Sequence, residues 1–472
     1  MTPIAVFTRL KPTSACAHRL LRVICSAFLL LMACFPALAA SPVLMISIDG
    51  LKPEYVTQAD AHGLKIPTLR RFLTEGTYAE GVIGVMPTVT YPSHTTLITG
   101  VWPAEHGIYD NGVFDPYRNF GGAWYWYGEQ IRVPTLWEAA KARRLTTASV
   151  SWPVSVDARG VDYLIPEYWR SSVGGGKNPD DRLLMSALSR PVGLFDDLAK
   201  HDPELGPYMM GNDTSVDGDE TRTRYSLAIL RTKKPAFMTI HLSSLDASEH
   251  EGGPFSDEAD STLEAVDGMV GQLIDAARAN DPHTIIVIVS DHGFAPSTKA
   301  VNLGIPFIEA GLVMVDNKGK VTAWQAEPWG GGAMFAIMLH DPSDTKAREQ
   351  AKAILDKVAA DPANGVAKIL TPAEIKAYGG FPDAAFVIAF KPGYIPGGNL
   401  TGPLITEAPE KGAHGYLTNF PEMHSSFFIM GEGIAAGRNL GVVDMRRIAP
   451  TVARLLGASL PDAKQPLLEV GK

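Results

Sequence analysis

Past residue 34 the chain has no cysteine; Cys16, Cys25 and Cys34 are the only three among 472 residues. The body of the protein therefore has no disulfide framework, no thiolate nucleophile and no thiolate metal ligand. Any metal it holds has to be bound by imidazole and carboxylate. Positive charge is also scarce, with 42 Lys and Arg against 51 Asp and Glu and a net charge of −9. That balance argues against general nucleic-acid binding. It leaves room for a small phosphate ester, because a metal in a site outweighs the mean surface field. There is no Gly-x-Ser-x-Gly elbow, no complete P-loop and no internal repeat. Also absent is a Cys-x-Pro-x-Arg or Ser-x-Pro-x-Arg segment that would supply a formylglycine nucleophile.

The apolar run at the N-terminus is short and has a processing signature. Arg9, Lys11, Arg19 and Arg22 precede Val23 to Ala33, and Ala37-Leu38-Ala39 follows. A basic flank, a brief apolar stretch and an A-x-A site predict a secretory signal peptide over residues 1–39. The stretch is too short to span a bilayer comfortably. Lipoprotein processing at Cys34 is an alternative that Met32 and the apolar residues after Cys34 argue against. Loss of the leader takes the net charge to about −13. A secreted chain of this size without disulfides suits a bacterial periplasm.

What is present is a set of strands that end in chemistry. Val43-Leu44-Met45-Ile46-Ser47-Ile48 runs into Asp49-Gly50, and Ile285-Ile286-Val287-Ile288-Val289 runs into Ser290-Asp291-His292-Gly293. Unbroken apolar, β-branched runs read as strands buried on both faces of a parallel sheet. Residues 146–152, 235–242 and 427–430 read as further strands, and 66–73, 134–141, 219–232 and 257–279 as helices. The alternation predicts an α/β fold with a mostly parallel central sheet flanked by helices. Its catalytic core spans 41–302 and 411–472. Residues 303–410, with short strands, a polar helix over 346–360 and Gly/Pro punctuation, form an inserted cap subdomain. Residues 111–132 and 168–215 read as pocket loops.

Five segments carry acids, imidazoles and hydroxyls: Ile48-Asp49-Gly50, Pro87 to His94, Asp246 to His250, Ser290 to Gly293, and Gly412 to Tyr416. They divide into two metal sites. One holds Asp49, Asp291, His292 and the hydroxyl of Thr90; the other holds Asp246, His250 and His414. The Asp-x-x-x-His spacing puts Asp246 and His250 on one face of a helical turn. Oxygen and imidazole donors suit two Zn²⁺ ions, with Mn²⁺ or Fe also compatible. Thr88 and Thr95 are competing hydroxyls near Thr90.

These segments resemble the nucleotide pyrophosphatase/phosphodiesterase family of the alkaline phosphatase superfamily. The resemblance is dense at Thr90-Tyr91-Pro92-Ser93-His94, Thr99-Gly100, His106-Gly107-Ile108, Asn111, Trp152-Pro153 and Gly412-Ala413-His414-Gly415-Tyr416. It implies an alkaline phosphatase-like fold with Thr90 as nucleophile, a phosphothreonyl intermediate and Asn111 as donor to a phosphoryl oxygen. A threonine hydroxyl needs such metal activation near neutral pH. The implied activity is phosphodiester or nucleotide pyrophosphate hydrolysis in a secreted, periplasmic enzyme. Its partner is a small phosphodiester or nucleotide, and no transmembrane anchor remains after processing.

Departures bear on the substrate. The family often has Phe and Asn where this chain has Tyr91 and Ser93, and Tyr where it has His241. Tyr91, Trp152 and His241 are nonetheless the expected substrate contacts, with Tyr168 and Trp169 completing an aromatic pocket. The alternative activity is a phosphomonoesterase or phosphonate hydrolase on the same core. Asp157-Ala158-Arg159 offers one cation where monoesterases of the superfamily tend to place two, which tilts the reading to diesters.

Overall fold

The computed structural model describes residues 41–471 apart from 118, 120–121, 171–179 and 209–210. The readings for the signal peptide and for Cys34 lie outside the described residues. Eight strands form the central sheet: β1 (Val43–Ile48), β2 (Thr77–Tyr78), β3 (Thr147–Val150), β4 (Tyr163–Ile165), β5 (Phe237–Leu242), β6 (Ile285–Val289), β7 (Phe427–Met430) and β8 (Arg438–Asn439). Their order across the sheet is β8-β2-β7-β6-β1-β5-β3-β4. β6, β1, β5, β3 and β4 are mutually parallel, whereas β7 runs antiparallel to β6.

β6 and β7 are apolar throughout, and β1 nearly so, because both faces are covered. Leu44, Ile46, Ile48, Ile286 and Ile288 point into one core, with α1 (Pro67–Glu75), α4 (Val216–Lys233) and α6 (Asp257–Asn280) packed on it. Val43, Met45, Ile285, Val287 and Val289 point into the other, under α2 (Thr90–Thr99), α3 (Leu136–Ala142) and α7 (Ile448–Leu455). The period-two alternation of strand side chains divides a single apolar run between two cores. α5 (Ser244–Gly252) follows β5 directly. The helix starts follow local chemistry. Proline opens α1, and a Thr135–Glu138 capping box opens α3.

An excursion from the central sheet begins at the strand Ala295–Val301, which pairs with Gly393–Pro396 and Ile405–Glu407. Within it Ala326–Trp329, Met334–Leu339, Phe386–Phe390 and Val366–Leu370 make an antiparallel sheet. That sheet packs with the helix Thr345–Ala360 around Phe335, Ile337, Leu355, Ile388 and Phe390. The 168–215 region also differs from the expected loop, since it contains the helices Arg182–Leu188 and Leu194–His201. Among the described residues no helix is long and apolar enough to cross a membrane.

Two glycines bring this excursion against the core. A Cβ on Gly332 (φ +65°) would meet the Gly415 Cα at 2.5 Å, and one on Gly379 (φ +69°) would meet the Trp102 ring at 2.4 Å. Gly332→Ala is expected to cost about 1–3 kcal/mol by forced separation of the two backbones, read as a lowered urea midpoint. An unchanged midpoint would mean that the contact is dispensable.

Candidate metal centre

The carboxyl ends of β1, β5 and β6 lie side by side, with Ile48 paired to Leu242 and Ser47 to Val289. Whatever follows these strands therefore converges on one rim, as in open α/β sheets generally. Asp49 leaves β1, Asp246 and His250 ride on α5, and Asp291 and His292 leave β6. His414 arrives from the end of the excursion. Six predicted ligands form two groups, Asp49 with Asp291 and His292, and Asp246 with His250 and His414, each with its ligand atoms within 4.8 Å of one another. The rings of His292 and His414 stack at 3.6 Å, so the groups adjoin.

The histidines share one arrangement. Nδ1 of His292 donates to Gly293 O at 3.2 Å, Nδ1 of His414 to Thr88 O at 3.0 Å and Nδ1 of His250 to Gly412 O at 3.1 Å. These bonds leave Nε2 of each ring as the atom that faces the carboxylates. His292 Nε2 lies 3.3 Å from Asp49 Oδ1 and 3.1 Å from Asp291 Oδ2. With its proton on Nδ1, the ring offers those oxygens only a lone pair. Asp49 Oδ1, Asp291 Oδ2, His292 Nε2 and Asp246 Oδ1 are all buried without a hydrogen-bond partner. An orphan of this kind costs roughly 1–3 kcal/mol. A cluster of electron pairs aimed at one point fits a bound cation.

Titration follows the same logic. Burial pushes Asp49 well above the usual carboxylate range, and the charges of Asp291 and Asp246 add to it. Burial raises Asp246 to about 6. Burial holds His292 and His414 well below their ordinary value. His250 is held up at about 9, against burial, by Asp246 and by Glu410, whose Oε2 lies 3.1 Å from Nδ1. Side-chain exposure separates the groups: 19% for Asp246 and 26% for His250, but 4% or less for Asp49, Asp291 and His292. The Asp246 group is the one that opens to solvent.

Thr90 is the first residue of α2 and is 9% exposed. Val89 is the N-cap residue of this helix. The chain around Thr90 is tied to both groups. His414 holds Thr88 O, while His94 Nδ1 bonds Thr90 O at 2.9 Å and lies 3.6 Å from Asp291 Oδ2. Thr88 spends its hydroxyl on Tyr416 O and Thr95 spends its own on Tyr91 O, which leaves Thr90 as the uncommitted hydroxyl of the three. Asn111 Oδ1 accepts the Tyr91 N–H at 2.8 Å, so its Nδ2 is the end able to donate to a substrate oxygen.

The three expected substrate contacts are placed differently. Tyr91 and Trp152 are fully buried and His241 is 2% exposed, so none presents a ring face to the cleft. Trp152 packs edge-on between His94 and Trp137. Tyr91 has Trp124 against it at 5.1 Å, and Trp169 continues that cluster, as does Tyr168 through Trp126. His241 sits between Asp49 and Glu167.

Sequence reasoning missed Asp219, Glu410 and Asp110. Asp219 accepts from the N–H groups of Ser243 and Ser244 at 3.0 and 2.9 Å, where α5 begins. Arg222 clamps it at 2.6 Å and also bonds Ser151 and Ser243. An Asp-x-x-Arg pair on a helix was the available signal. Asp219→Ala leaves Arg222 buried and unpaired, and is expected to cost about 3–5 kcal/mol. The lost helix start should also weaken metal retention at Asp246 and His250. A melting curve and metal analysis check both, and a variant of native stability would remove Asp219 from this role.

Asp110 is buried, accepts from Asn111 N at 2.7 Å and from the Gly331 N–H, and is pushed by burial to about 7. A folded-state pKa above the usual 3.8 means that stability is fullest at low pH and declines as pH rises through about 7. Asp110→Asn is expected to flatten unfolding free energy between pH 4 and 7, measured by urea denaturation. An unchanged slope would contradict this.

A model of the family described as type I phosphodiesterase / nucleotide pyrophosphatase matches residues 43–417. Among curated proteins, ectonucleotide pyrophosphatase/phosphodiesterase family member 1 from Homo sapiens is 28% identical over 265 residues, 53% of this chain and 23% of that protein. Venom phosphodiesterase CdcPDE from Crotalus durissus collilineatus is 26% identical over 54% of this chain and 26% of that protein. The aligned part thus spans about a quarter of these relatives. Human ectonucleotide pyrophosphatase / phosphodiesterase 5 superposes with a TM-score of 0.63 at 18% identity, over 90% of this chain and 96% of that one. An inactive threonine-to-alanine variant of the murine protein, solved with AMP, gives 0.62 at 18% identity over 92% and 97%. The likeness establishes an alkaline phosphatase-like fold.

Proposed function

The chain belongs to the type I phosphodiesterase and nucleotide pyrophosphatase family, and from that premise we propose a secreted, periplasmic, metal-dependent hydrolase of phosphodiesters or nucleotide pyrophosphates with Thr90 as its nucleophile. One observation carries the reading: buried, partnerless Asp49 Oδ1, Asp291 Oδ2 and His292 Nε2 converge beside the Asp246–His250–His414 group and the start of α2. Asp49, Asp291, His292 and Thr90 would hold one Zn²⁺, and Asp246, His250 and His414 a second; Mn²⁺ or Fe suits the same donors. When bound, the metals supply the positive charge that makes a threonine hydroxyl and a water nucleophilic near neutral pH.

The chain's own groups do the rest. The Asn111 Nδ2, left free by the bond from the Tyr91 N–H to Oδ1, donates to a phosphoryl oxygen. Thr90 Oγ1, its proton passed to solvent, attacks phosphorus, and the bond to the opposite ester or anhydride oxygen breaks, so that the alcohol or phosphate leaving group departs. Water then attacks the phosphorus held on Thr90, the bond to Oγ1 breaks, and a phosphate monoester leaves while a proton from the water restores the Thr90 hydroxyl. The AMP-bound murine relative supports a nucleotide as substrate. Trp124 and Trp169, partly exposed beside Tyr91, offer the aromatic surface for its base in place of Tyr91 itself.

Thr90→Ala is expected to lower hydrolysis of bis(p-nitrophenyl) phosphate by at least 10³-fold while metal content is retained, and the parent should prefer this diester to p-nitrophenyl phosphate. Retained turnover in the variant would remove Thr90 as nucleophile. A monoester preference would move the activity to a phosphomonoesterase on the same core.

A further inference from the structure

Glu167 is buried and spends its two oxygens on opposite sides of the site. Oε1 accepts the Tyr91 hydroxyl at 3.2 Å. Oε2 lies 3.2 Å from His241 Nδ1, whose ring turns Nε2 to Asp49 Oδ2 at 3.0 Å. The Glu167 backbone is itself held, its N–H donating to Ser155 Oγ at 3.3 Å. An unbroken chain of hydrogen bonds thus runs from Tyr91, next to Thr90, through one carboxylate and one imidazole to Asp49. It occupies Asp49 Oδ2 and leaves Oδ1 as the oxygen that faces Asp291 and His292.

Tyr91 and His241 are also the positions at which the family pattern leads one to expect phenylalanine and tyrosine. Phenylalanine has no hydroxyl, and a tyrosine at 241 would have a single polar atom where two carboxylates must be bridged. Both differences meet on Glu167.

We propose that Glu167 is a positioning residue that locks the metal ligand Asp49, through His241, and the Thr90–Tyr91 start of α2, through the Tyr91 hydroxyl, into one fixed relation. The roles of Asp49 and Thr90 rest on the function proposed above. Partners of this kind commonly set metal affinity by 10–100-fold. Hydrogen-bonded members of a shared network show non-additive losses.

The test uses the full chain. Zinc affinity is read by chelator competition without substrate, and turnover is read on bis(p-nitrophenyl) phosphate. Glu167→Gln keeps the side-chain shape and is expected to weaken zinc binding about 10-fold or more, with kcat lowered and KM little changed. Tyr91→Phe cuts only the other arm; it should lower kcat at unchanged zinc affinity, and add nothing further in a Glu167→Ala background, which cuts both arms. Native zinc affinity in Glu167→Gln, or additive losses in the double variant, would overturn the proposal. Should Glu167→Gln fail to fold, Tyr91→Phe and His241→Gln each cut one arm, and native behaviour in either sinks it. Inactivity on the diester in all proteins, with zinc still weakened in Glu167→Gln, would reject the substrate class and keep the role of Glu167.

Discussion

Three carboxylates and the lone pairs of His292 and His414 meet at the carboxyl edge of one sheet, and the rest of the site is arranged around that repulsion. Burial makes each charge expensive, and the backbone carbonyls that take the Nδ1 protons leave those two rings unable to relieve it. The cost is met when cations enter. Affinity for metal is therefore a consequence of how the chain buries its polar atoms, and the same burial and neighbouring charges, which raise Asp49, Asp246 and His250, set protons in competition with metal.

Holding such a cluster requires a rigid frame. β1, β5 and β6 fix three of the approaches through parallel register. α5 is fixed at its origin by Asp219, which meets free N–H groups with a charge and is itself compensated by Arg222. His414 depends on the excursion from the sheet, pressed against the segment that carries it by the close backbone approach at Gly332. That excursion also reaches Asp110 through Gly331, and Asp110 in turn holds the backbone of Asn111. The inserted sheet is thus continuous with the residues that would grip a phosphoryl group.

The aromatic residues divide in an unexpected way. Those that the family pattern offers for stacking, Tyr91 and Trp152, are packed in the core, and Tyr91 and His241 serve a polar chain behind Asp49. The partly exposed aromatic surface next to Tyr91 comes instead from Trp124, with Trp169 against it, in segments with no regular element. Leaving-group preference would then be set by loops, which can change without disturbing the buried donors.

Much of this was legible in the chain itself. Long apolar runs ending in Asp49-Gly50 and Asp291-His292 announced a parallel sheet buried on both faces and a polar rim, since burial on two faces leaves no alternation to read. The cysteine-free body dictated imidazole and carboxylate donors, and the spacing of Asp246 and His250 dictated a shared helix face. The antiparallel sense of β7 was hidden because a strand covered on both faces looks the same in either direction. The burial of Tyr91, Trp152 and His241, and the roles of Asp219, Glu167, Asp110 and Glu410, were decided only by tertiary structure. A side chain's hydrogen-bond partners and exposed face depend on residues far along the chain, 192 positions away from Asp49 to His241 and 326 from Thr88 to His414, and no local pattern encodes that meeting.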